Sequence, residues 1–362
     1  MVPGMVAAHD TRPLVSADGV TFRLERTSEL NAAWLYQEVA MPRGGWRLHP
    51  SADGLTLELR FPRPEADRME YLFELVDADG GGGLVCDPAN PLRAPGPFGD
   101  KSVVEFPSYK APAWVSEDGA AAGTSAELTI HVPSLGCDLR ALLWTAPGVA
   151  AGERVPLLVA HDGIEYTQFS SLSVLLDRFS ARGELPRLRA ALLHPAARDE
   201  HYSASPAYAR ALATELLPYL ATVAPTPPGR RWRVGMGASL GALAMLHAHR
   251  SHPATFGGLF LQSGSFFHHR YDQHDIGFEH FQRVRWFMDR VHAARTWDQP
   301  VPVVVTCGAV EMNLPNNRAA SLALRRQGYP VRFVASRDAH NWTAWRDLFD
   351  PHLVALLGEL WA

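Results

Sequence analysis

Five residues, Gly237-Ala238-Ser239-Leu240-Gly241, join two segments of different character. The residues before them, 231–236, predict a short buried strand, and the residues after them, 240–249, are rich in alanine and leucine and predict a helix. A strand that passes into a helix through G-x-S-x-G makes a sharp, strained turn with the serine at its apex. Side chains at the two glycine positions would collide with the strand or the helix. The pattern therefore predicts a serine hydroxyl raised clear of a sheet.

Two segments further along the chain carry the residue types that activate such a serine. Residues 301–308 form an apolar, β-branched run that predicts a fully buried parallel strand, and Glu311 follows it. Residues 331–336 predict the last strand, and His340 lies in the loop after that strand. A serine hydroxyl needs a base to take its proton, and the base needs a carboxylate to fix its tautomer. This order of serine, acid and histidine is the order of an α/β-hydrolase triad.

Asp338 is the other candidate for the acid. It lies only two residues before His340, and side chains so close on one loop seldom converge in triad geometry. Glu311 instead follows a buried strand at the point where the acid is expected. The sequence favours Glu311 as the acid, with Ser239 as nucleophile and His340 as general base.

Two backbone N–H groups are predicted to stabilise the oxyanion of an acyl-transfer reaction. Leu240, directly after the serine, is expected to supply one of them. Gly163 is expected to supply the other, from the loop after the predicted strand 155–160, because a glycine permits close approach of the backbone. His161 lies in the same loop but follows the wrong strand to be the base. We interpret His161 as a residue that orients the loop.

The two ends of the chain predict different architectures. Up to about Pro112, short alternating segments separated by turn residues indicate a small antiparallel β-sandwich. From Leu128 onward, strands alternate with helices, which predicts an α/β-hydrolase domain with a mostly parallel central sheet. The predicted domains are residues 1–118 and 125–362. Gly119–Gly123 is either the linker between them or a loop within the second domain. Within the second domain, residues 127–132 and 137–145 are predicted to open the sheet as an antiparallel pair.

Composition argues against several classes of protein. A net charge of -4 gives no case for a nucleic-acid or membrane partner. The first dozen residues lack the basic start and apolar stretch of a signal peptide, and no apolar run reaches the roughly 18 residues that a membrane span needs. The three cysteines are odd in number and widely spaced, which is typical of free thiols in a reducing compartment. We therefore expect a cytoplasmic enzyme.

Beyond these patterns, the chain resembles the enterochelin (enterobactin) esterases over about residues 15 to 360. The segments that carry the resemblance are His161-Asp162-Gly163, Arg198–Tyr202, Glu215–Pro218, Gly237–Gly241, Gln262–Phe267, Gly308–Glu311 and Asp338–Arg346, with Asp87–Pro91 and Lys101–Pro107 in the N-terminal region. The resemblance implies an early-set, immunoglobulin-like sandwich before the hydrolase domain. It also implies hydrolysis of the trilactone backbone of a catecholate siderophore.

If the substrate is an anionic siderophore with flat rings, its binding site is expected to offer cations and aromatic faces. The residues expected to bind it lie at strand ends on the active-site edge: Asp162, Arg198, His201, Tyr202, Phe266, His268 and Arg270. His268 and His269 are adjacent and have no third spaced ligand, so we expect no protein-bound metal. No cofactor is expected. The partner is a small-molecule ester or siderophore, and the sequence leaves open whether it carries iron and whether the protein is an oligomer.

Alternatives to a siderophore esterase remain at the level of sequence. The same scaffold suits a serine esterase acting on other bulky aromatic or sugar acyl esters, or an acyltransferase. A further alternative is a catalytically inert ligand-binding protein. The presence of Ser239, Glu311 and His340 together argues against the inert protein, because an inactive copy would usually have lost at least one of them.

Overall fold

The strands of the molecule form three sheets within residues 10–117 and 123–361, which the computed structural model describes. Residues 1–9 lie outside the described residues. They belong to the first dozen residues, in which the sequence shows no signal-peptide features. Gly119 to Ala122 of the predicted linker lie outside the described residues as well. The strands up to Glu105 build two of the sheets, and the strands from Thr124 build the third.

Two antiparallel sheets form the N-terminal part of the chain. Their strands are β1 (Leu14–Ser16), β2 (Gly19–Glu25), β3 (Leu30–Gln37), β4 (Trp46–Arg47), β5 (His49–Pro50), β6 (Thr56–Pro62), β7 (Arg68–Asp77), β8 (Gly82–Val85), β9 (Arg93–Ala94) and β10 (Lys101–Glu105). One sheet has the order β1-β2-β6-β5. The other has the order β4-β3-β7-β10-β9, and β8 pairs with β7. The predicted antiparallel sheets are confirmed.

A single apolar core joins these two sheets. Alternate residues of a strand point to the same face, and in β2 this places Phe22 and Leu24 in the core. From the other sheet, β7 contributes Met69, Tyr71 and Phe73 to the same core. The rings of Phe22 and Tyr71 lie 4.6 Å apart between centroids. The alternation seen in the sequence is therefore the alternation of an inward and an outward face.

The third sheet is flanked by helices. Its strands are β11 (Thr124–Val132), β12 (Cys137–Thr145), β13 (Leu157–Ala160), β14 (Arg189–His194), β15 (Arg233–Ala238), β16 (Gly258–Gln262), β17 (Val303–Gly308) and β18 (Val331–Ser336). The helices are α1 (Gly163–Ser170), α2 (Leu172–Ala181), α3 (Arg198–Tyr202), α4 (Pro206–Ala211), α5 (Leu217–Val223), α6 (Leu240–Ser251), α7 (Phe281–Ala293), α8 (Leu314–Arg326), α9 (Trp342–Arg346) and α10 (Val354–Trp361). A wider helical turn, Leu212–Leu216, joins α4 to α5.

The prediction of a mostly parallel sheet needs correction, because this sheet is mixed. Its order is β11-β12-β14-β13-β15-β16-β17-β18. The pairs β11/β12 and β12/β14 are antiparallel, whereas the five remaining pairs are parallel. The turn between β11 and β12 spans only Pro133–Gly136, and so short a connection cannot cross over to make a parallel pair. The predicted opening pair is thereby confirmed, and its second strand also runs against β14.

The strands in the middle of this sheet are buried on both faces, which explains their continuous apolar sequences. Leu259 and Leu261 of β16 enter one core, and Phe260 enters the core on the opposite face. Val303 and Val304 of β17 are divided in the same way. Because β13 and β15 to β18 are parallel, their carboxyl ends share one edge of the sheet. The elbow serine follows β15 at that edge.

By their contacts, the described residues divide into two compact units. The first contains the residues up to Lys110 together with Ala309–Glu311 and Arg337–His340. The second contains the remaining residues from Ala111 onward. The predicted boundaries would assign these two short segments to the hydrolase domain. They group with the first unit because Ala339 lies in its core and Val310 packs against that core.

Candidate active site

Ser239 has a strained backbone conformation in the second unit. Its φ is 54° and its ψ is -122°, in the turn between β15 and α6. A non-glycine residue at positive φ costs on the order of 1–3 kcal/mol and persists where its surroundings hold it. Here the Ser239 N–H donates to the carbonyl of Gln262 at 2.9 Å. A Cβ atom on Gly237 would lie 2.5 Å from the carbonyl carbon of Gly241, so the first glycine of the motif is required by close approach. A Cβ atom on Gly241 would lie 3.2 Å from the Cβ of His161, which is a tight contact.

Ser265 is a neighbour of the nucleophile that the sequence reasoning did not single out. Its Oγ lies 3.1 Å from the Oγ of Ser239, and its backbone N–H donates to the Ser239 carbonyl at 3.1 Å. The loop that carries it is fixed by Asn317, which accepts from the Gly264 N–H and donates to the Gly264 carbonyl. The only signal in the sequence was the position of Ser265 just past the strand that follows the elbow.

The loop predicted to complete the oxyanion site is also strained. Asp162 has φ 49° and directly precedes Gly163, the first residue of α1. A Cβ atom on Gly163 would lie 2.4 Å from the Cα of Leu192, so this glycine lets the loop pack against β14. Leu240 is the first residue of α6, and first-turn N–H groups of a helix have no partner within the helix. The oxyanion role of Leu240 and Gly163 stays a prediction.

Asp162 and Arg198, both predicted to bind substrate, bind each other. The Arg198 guanidinium places Nε 3.0 Å from Oδ1 and Nη2 2.7 Å from Oδ2 of Asp162. Burial would lower the pKa of Arg198, but the Asp162 carboxylate more than offsets this effect and raises it. Asp162 itself is only 3% exposed. The pair therefore joins a buried carboxylate, in the loop between β13 and α1, to a guanidinium side chain that is 40% exposed.

His161 is the centre of a buried aromatic cluster. Its Nδ1 lies 3.1 Å from the carbonyl of Gly241, and its Nε2 lies 2.9 Å from the hydroxyl of Tyr208. The ring also stacks on Tyr202 at 4.3 Å. Burial lowers the pKa of His161 to about 4, so the ring is neutral near pH 7. These contacts fit a residue that orients the loop, and they link α3 and α4 to the start of α6.

Two further residues predicted to bind substrate belong to this buried cluster. Tyr202 is fully buried, and its hydroxyl accepts from the Asp162 N–H at 3.4 Å. His201 is also buried and stacks on Tyr208 at 5.2 Å. In the described structure, the side chains of Tyr202 and His201 therefore contact other protein groups, namely Asp162 and Tyr208.

The segment after β16 combines a buried aromatic anchor with an exposed cation. Phe266 is fully buried, and a Cβ atom on Gly264 would strike its ring. The His268 N–H donates to Oδ2 of Asp272 at 2.6 Å, and its Nδ1 accepts from the Arg270 N–H at 3.2 Å. Burial lowers the pKa of His268, with the charge of a neighbouring histidine adding to the effect. Arg270 is exposed and is the cation that this segment presents to solvent.

Glu311 and His340 form a hydrogen-bonded pair in the first unit. Oε2 of Glu311 lies 2.8 Å from Nδ1 of His340. The Glu311 side chain is 1% exposed and the His340 side chain 31% exposed, so a buried carboxylate holds a partly accessible ring. Asp338 faces Arg68 instead, with Oδ2 3.5 Å from Nη1. A carboxylate on Nδ1 fixes the tautomer in which Nε2 can accept a proton.

Metal ligands do not gather anywhere in the described ranges: no group of three or more His, Cys, Asp or Glu side chains could hold an ion there. None of Cys86, Cys137 and Cys307 takes part in a disulfide. In the same part of the chain, every helix is too short or too polar to cross a membrane.

A strained serine between a parallel strand and a helix, on a sheet covered on both faces, defines the α/β class of ester-cleaving folds. The family model described as "Esterase: Putative esterase" matches residues 133–356, which is more than half of the chain. The chain belongs to this esterase family and is a carboxylic ester hydrolase.

Several solved structures share the fold. The enterobactin esterase from Shigella flexneri, solved in the presence of enterobactin, is 20% identical with a TM-score of 0.76, covering 96% of this chain and 94% of that one. The ferric enterobactin esterase from Salmonella typhimurium is 18% identical with a TM-score of 0.77, covering 98% of each chain. A ferulic acid esterase is 17% identical with a TM-score of 0.57 and covers 67% of this chain and 99% of that one. No curated protein sequence matches this chain.

Proposed function

We propose that this protein is a serine esterase that hydrolyses the ester bonds of a catecholate siderophore trilactone through Ser239, His340 and Glu311. The observation that carries the proposal is the strained Ser239 at the elbow of an esterase-family sheet. The Glu311–His340 pair supports it, because it supplies the base and the acid that a serine nucleophile needs.

Chain connectivity gives a reason to assign these residues to one triad. Glu311 comes three residues after the end of β17, and His340 comes four residues after the end of β18. Both strands run parallel to β15, which leads to Ser239. Residues that follow the carboxyl ends of neighbouring parallel strands start from the same edge of the sheet.

The proposed reaction has two acyl-transfer steps. The Ser239 Oγ attacks the ester carbonyl carbon while Nε2 of His340 takes the hydroxyl proton. The N–H groups of Leu240 and Gly163 stabilise the resulting oxyanion. The intermediate expels the alcohol oxygen, which receives the proton from His340, and an acyl-enzyme remains. Water, deprotonated by His340, then attacks the acyl carbon and releases the acid and free Ser239.

The share of this chain that each solved structure matches supports a siderophore substrate over a small aromatic ester. The enterobactin esterase structures match both the sandwich and the hydrolase regions, covering 96% or more of this chain. The ferulic acid esterase covers only 67% of this chain. The exposed Arg270 offers a positive charge that suits a catecholate anion. Iron on the ligand is not required by any step.

An esterase for aromatic acid esters is the second candidate, and the ferulic acid esterase match, which spans 99% of that protein, favours it. Turnover of an intact catecholate trilactone, compared with that of feruloyl and simple aryl esters, separates the two. A siderophore esterase should cleave the trilactone with the higher kcat/KM. A higher value for the feruloyl ester would favour the second candidate.

The triad is tested by three substitutions. Ser239→Ala and His340→Ala should each lower kcat by at least ~10³-fold on p-nitrophenyl acetate, because triad residues act as a unit. Glu311→Gln should lower it by roughly 10²–10⁴-fold, since the amide cannot stabilise the imidazolium. Circular dichroism should show that each variant is folded.

Ser125→Ala, at an exposed position of β11, is the control and should keep full activity. A fluorophosphonate probe should label the native protein and Ser125→Ala, and it should leave Ser239→Ala unlabelled. Near-normal turnover by Ser239→Ala or His340→Ala would refute the assignment. Unlabelled native protein would favour an inert binding protein.

A further inference from the structure

The first unit contains a buried cation that the proposed reaction does not use. Arg68 begins β7 and is 2% exposed. Its Nη2 donates to Oε1 of Glu70 at 3.1 Å, and its Nη1 lies 3.5 Å from Oδ2 of Asp338. Burial would lower the pKa of Arg68, but the carboxylates of Asp338 and Glu70 outweigh that effect and raise it. The side chain is therefore charged, and a charge so buried is retained only when it is paired.

One of the two carboxylates belongs to the loop that carries His340. The residues just before the histidine are each fixed by the sandwich. The carbonyl of Arg337 accepts from the Asp67 N–H at 2.7 Å, and Nε of Arg337 lies 3.0 Å from Oδ1 of Asp67. Asp338 pairs with Arg68, and Ala339, at 2% exposure, lies in the sandwich core.

We propose that Arg68 is a positioning residue, which holds the ring of His340 in place by anchoring Asp338. The inference rests on the proposed function, in which His340 is the general base. A base displaced by about 1 Å can cost roughly 10²-fold in rate. The N-terminal sandwich then takes part in catalysis by holding the histidine loop, in addition to any contact that it makes with a ligand.

Arg68→Met tests the proposal on p-nitrophenyl acetate. The methionine retains much of the side-chain volume but removes the charge, so the loop loses its anchor at Asp338. We expect kcat to fall by about 10- to 100-fold while KM stays within about twofold of the native value. Arg68→Lys keeps the charge without the planar fork, and it should recover part of the lost kcat.

Asp338→Asn tests the same anchor from the loop side. It should lower kcat to a similar extent, and the double variant Arg68→Met/Asp338→Asn should be about as active as the worse single variant. Such non-additivity is expected when two residues act through one contact. Val20→Ala, a buried position of β2 in the same core, is the control. It should lower Tm and leave kcat unchanged at temperatures where the protein is folded.

The outcomes separate this inference from the proposed function. Folded Arg68→Met with native kcat would overturn the inference, as would multiplicative losses in the double variant or an equal kcat loss in Val20→Ala. If Arg68→Met does not fold, Asp338→Asn decides: a loss of kcat at constant KM supports the inference, and native kcat overturns it. Near-normal turnover by His340→Ala would instead refute the proposed function.

Discussion

Arg198 has a full positive charge, yet two oxygens of Asp162 hold its guanidinium. Charge-assisted bonds of this kind are among the stronger polar contacts in proteins. An arginine so paired presents little net charge to an anionic ligand. The sequence predicts a cation past β14, but it cannot reveal that the partner carboxylate lies 36 residues earlier, because that pairing arises only when the loop folds back. The Arg198 side chain is itself 40% exposed, so its ion pair with Asp162 is what distinguishes it from the exposed Arg270.

Because Arg198 is paired with Asp162 and Arg270 is exposed, we expect their alanine variants to affect the two substrates differently. Arg198→Ala should lower kcat/KM by similar factors for p-nitrophenyl acetate and for a catecholate trilactone, because it removes the partner of Asp162 in the predicted oxyanion loop. Arg270→Ala should weaken transition-state binding of the trilactone by roughly 1.5–3 kcal/mol, the range for a charged hydrogen bond, and leave the acetate unaffected.

Steady-state kinetics on both substrates check this pair of expectations. If Arg198→Ala lowered kcat/KM only for the trilactone, the result would support the prediction that Arg198 binds the substrate. Equal losses on both substrates in Arg270→Ala would remove the charge argument for an anionic ligand.

Among the elements, the strands of the third sheet were the most predictable. Residues 331–336 form the last strand with the predicted bounds. The strand predicted from residue 155 begins only at Leu157, after Pro156, which cannot donate to a neighbouring strand.

Contacts between elements distant in sequence were not predictable. Nothing in the local pattern around Ala309–Glu311 or Arg337–His340 indicates that these segments group with the sandwich. That outcome depends on Val310 and Ala339 fitting a core made by strands more than two hundred residues earlier. The anchor between Arg68 and Asp338 was missed for the same reason.

The elbow gives a prediction for the strand–turn–helix element. A Cβ atom on Gly237 would lie 2.5 Å from the carbonyl carbon and 2.6 Å from the oxygen of Gly241. Backbone atoms cannot rotate away as a side chain can, so the turn must shift. Gly237→Ala should lower the free energy of unfolding by about 1–3 kcal/mol, the usual cost of overpacking, and reduce kcat as well.

Gly358→Ala is the matched control, because a Cβ atom at this position of α10 meets nothing within 4 Å. In a helix interior, alanine should be neutral or stabilise the protein by up to about 1 kcal/mol relative to glycine. Urea unfolding measures both variants. A Gly237→Ala protein as stable and as active as Gly358→Ala would contradict the requirement for glycine at the elbow.

For the whole molecule, three buried histidines couple stability to pH. Burial is the main cause that lowers the pKa of His161, His247 and His249 to about 4, from an ordinary value of 6.5. The rings are buried in the folded protein, whereas unfolding exposes them to water. Each histidine therefore binds a proton more readily in the unfolded chain than in the folded one between these two pH values.

The unfolded state gains protons first as the pH falls, so the free energy of unfolding should decrease from about pH 6.5 down to about pH 4. Above pH 6.5 these histidines are neutral in both states and should leave stability unchanged. A pKa lowered from 6.5 to about 4 corresponds to an upper limit of about 3 kcal/mol for each histidine. Urea unfolding at a series of pH values measures the slope.

Carboxylates also titrate near the lower end of this range, so the difference between variants isolates the histidine contribution. His249→Gln removes a ring that is fully buried and lies 3.2 Å from the hydroxyl of Tyr329. It should lower stability at pH 7.5 through lost packing, yet its free energy of unfolding should fall less steeply between pH 6.5 and 4.5. His49→Gln replaces an exposed side chain of β5 and should keep the native slope. If His249→Gln also kept the native slope, the buried ring would not be a source of acid sensitivity.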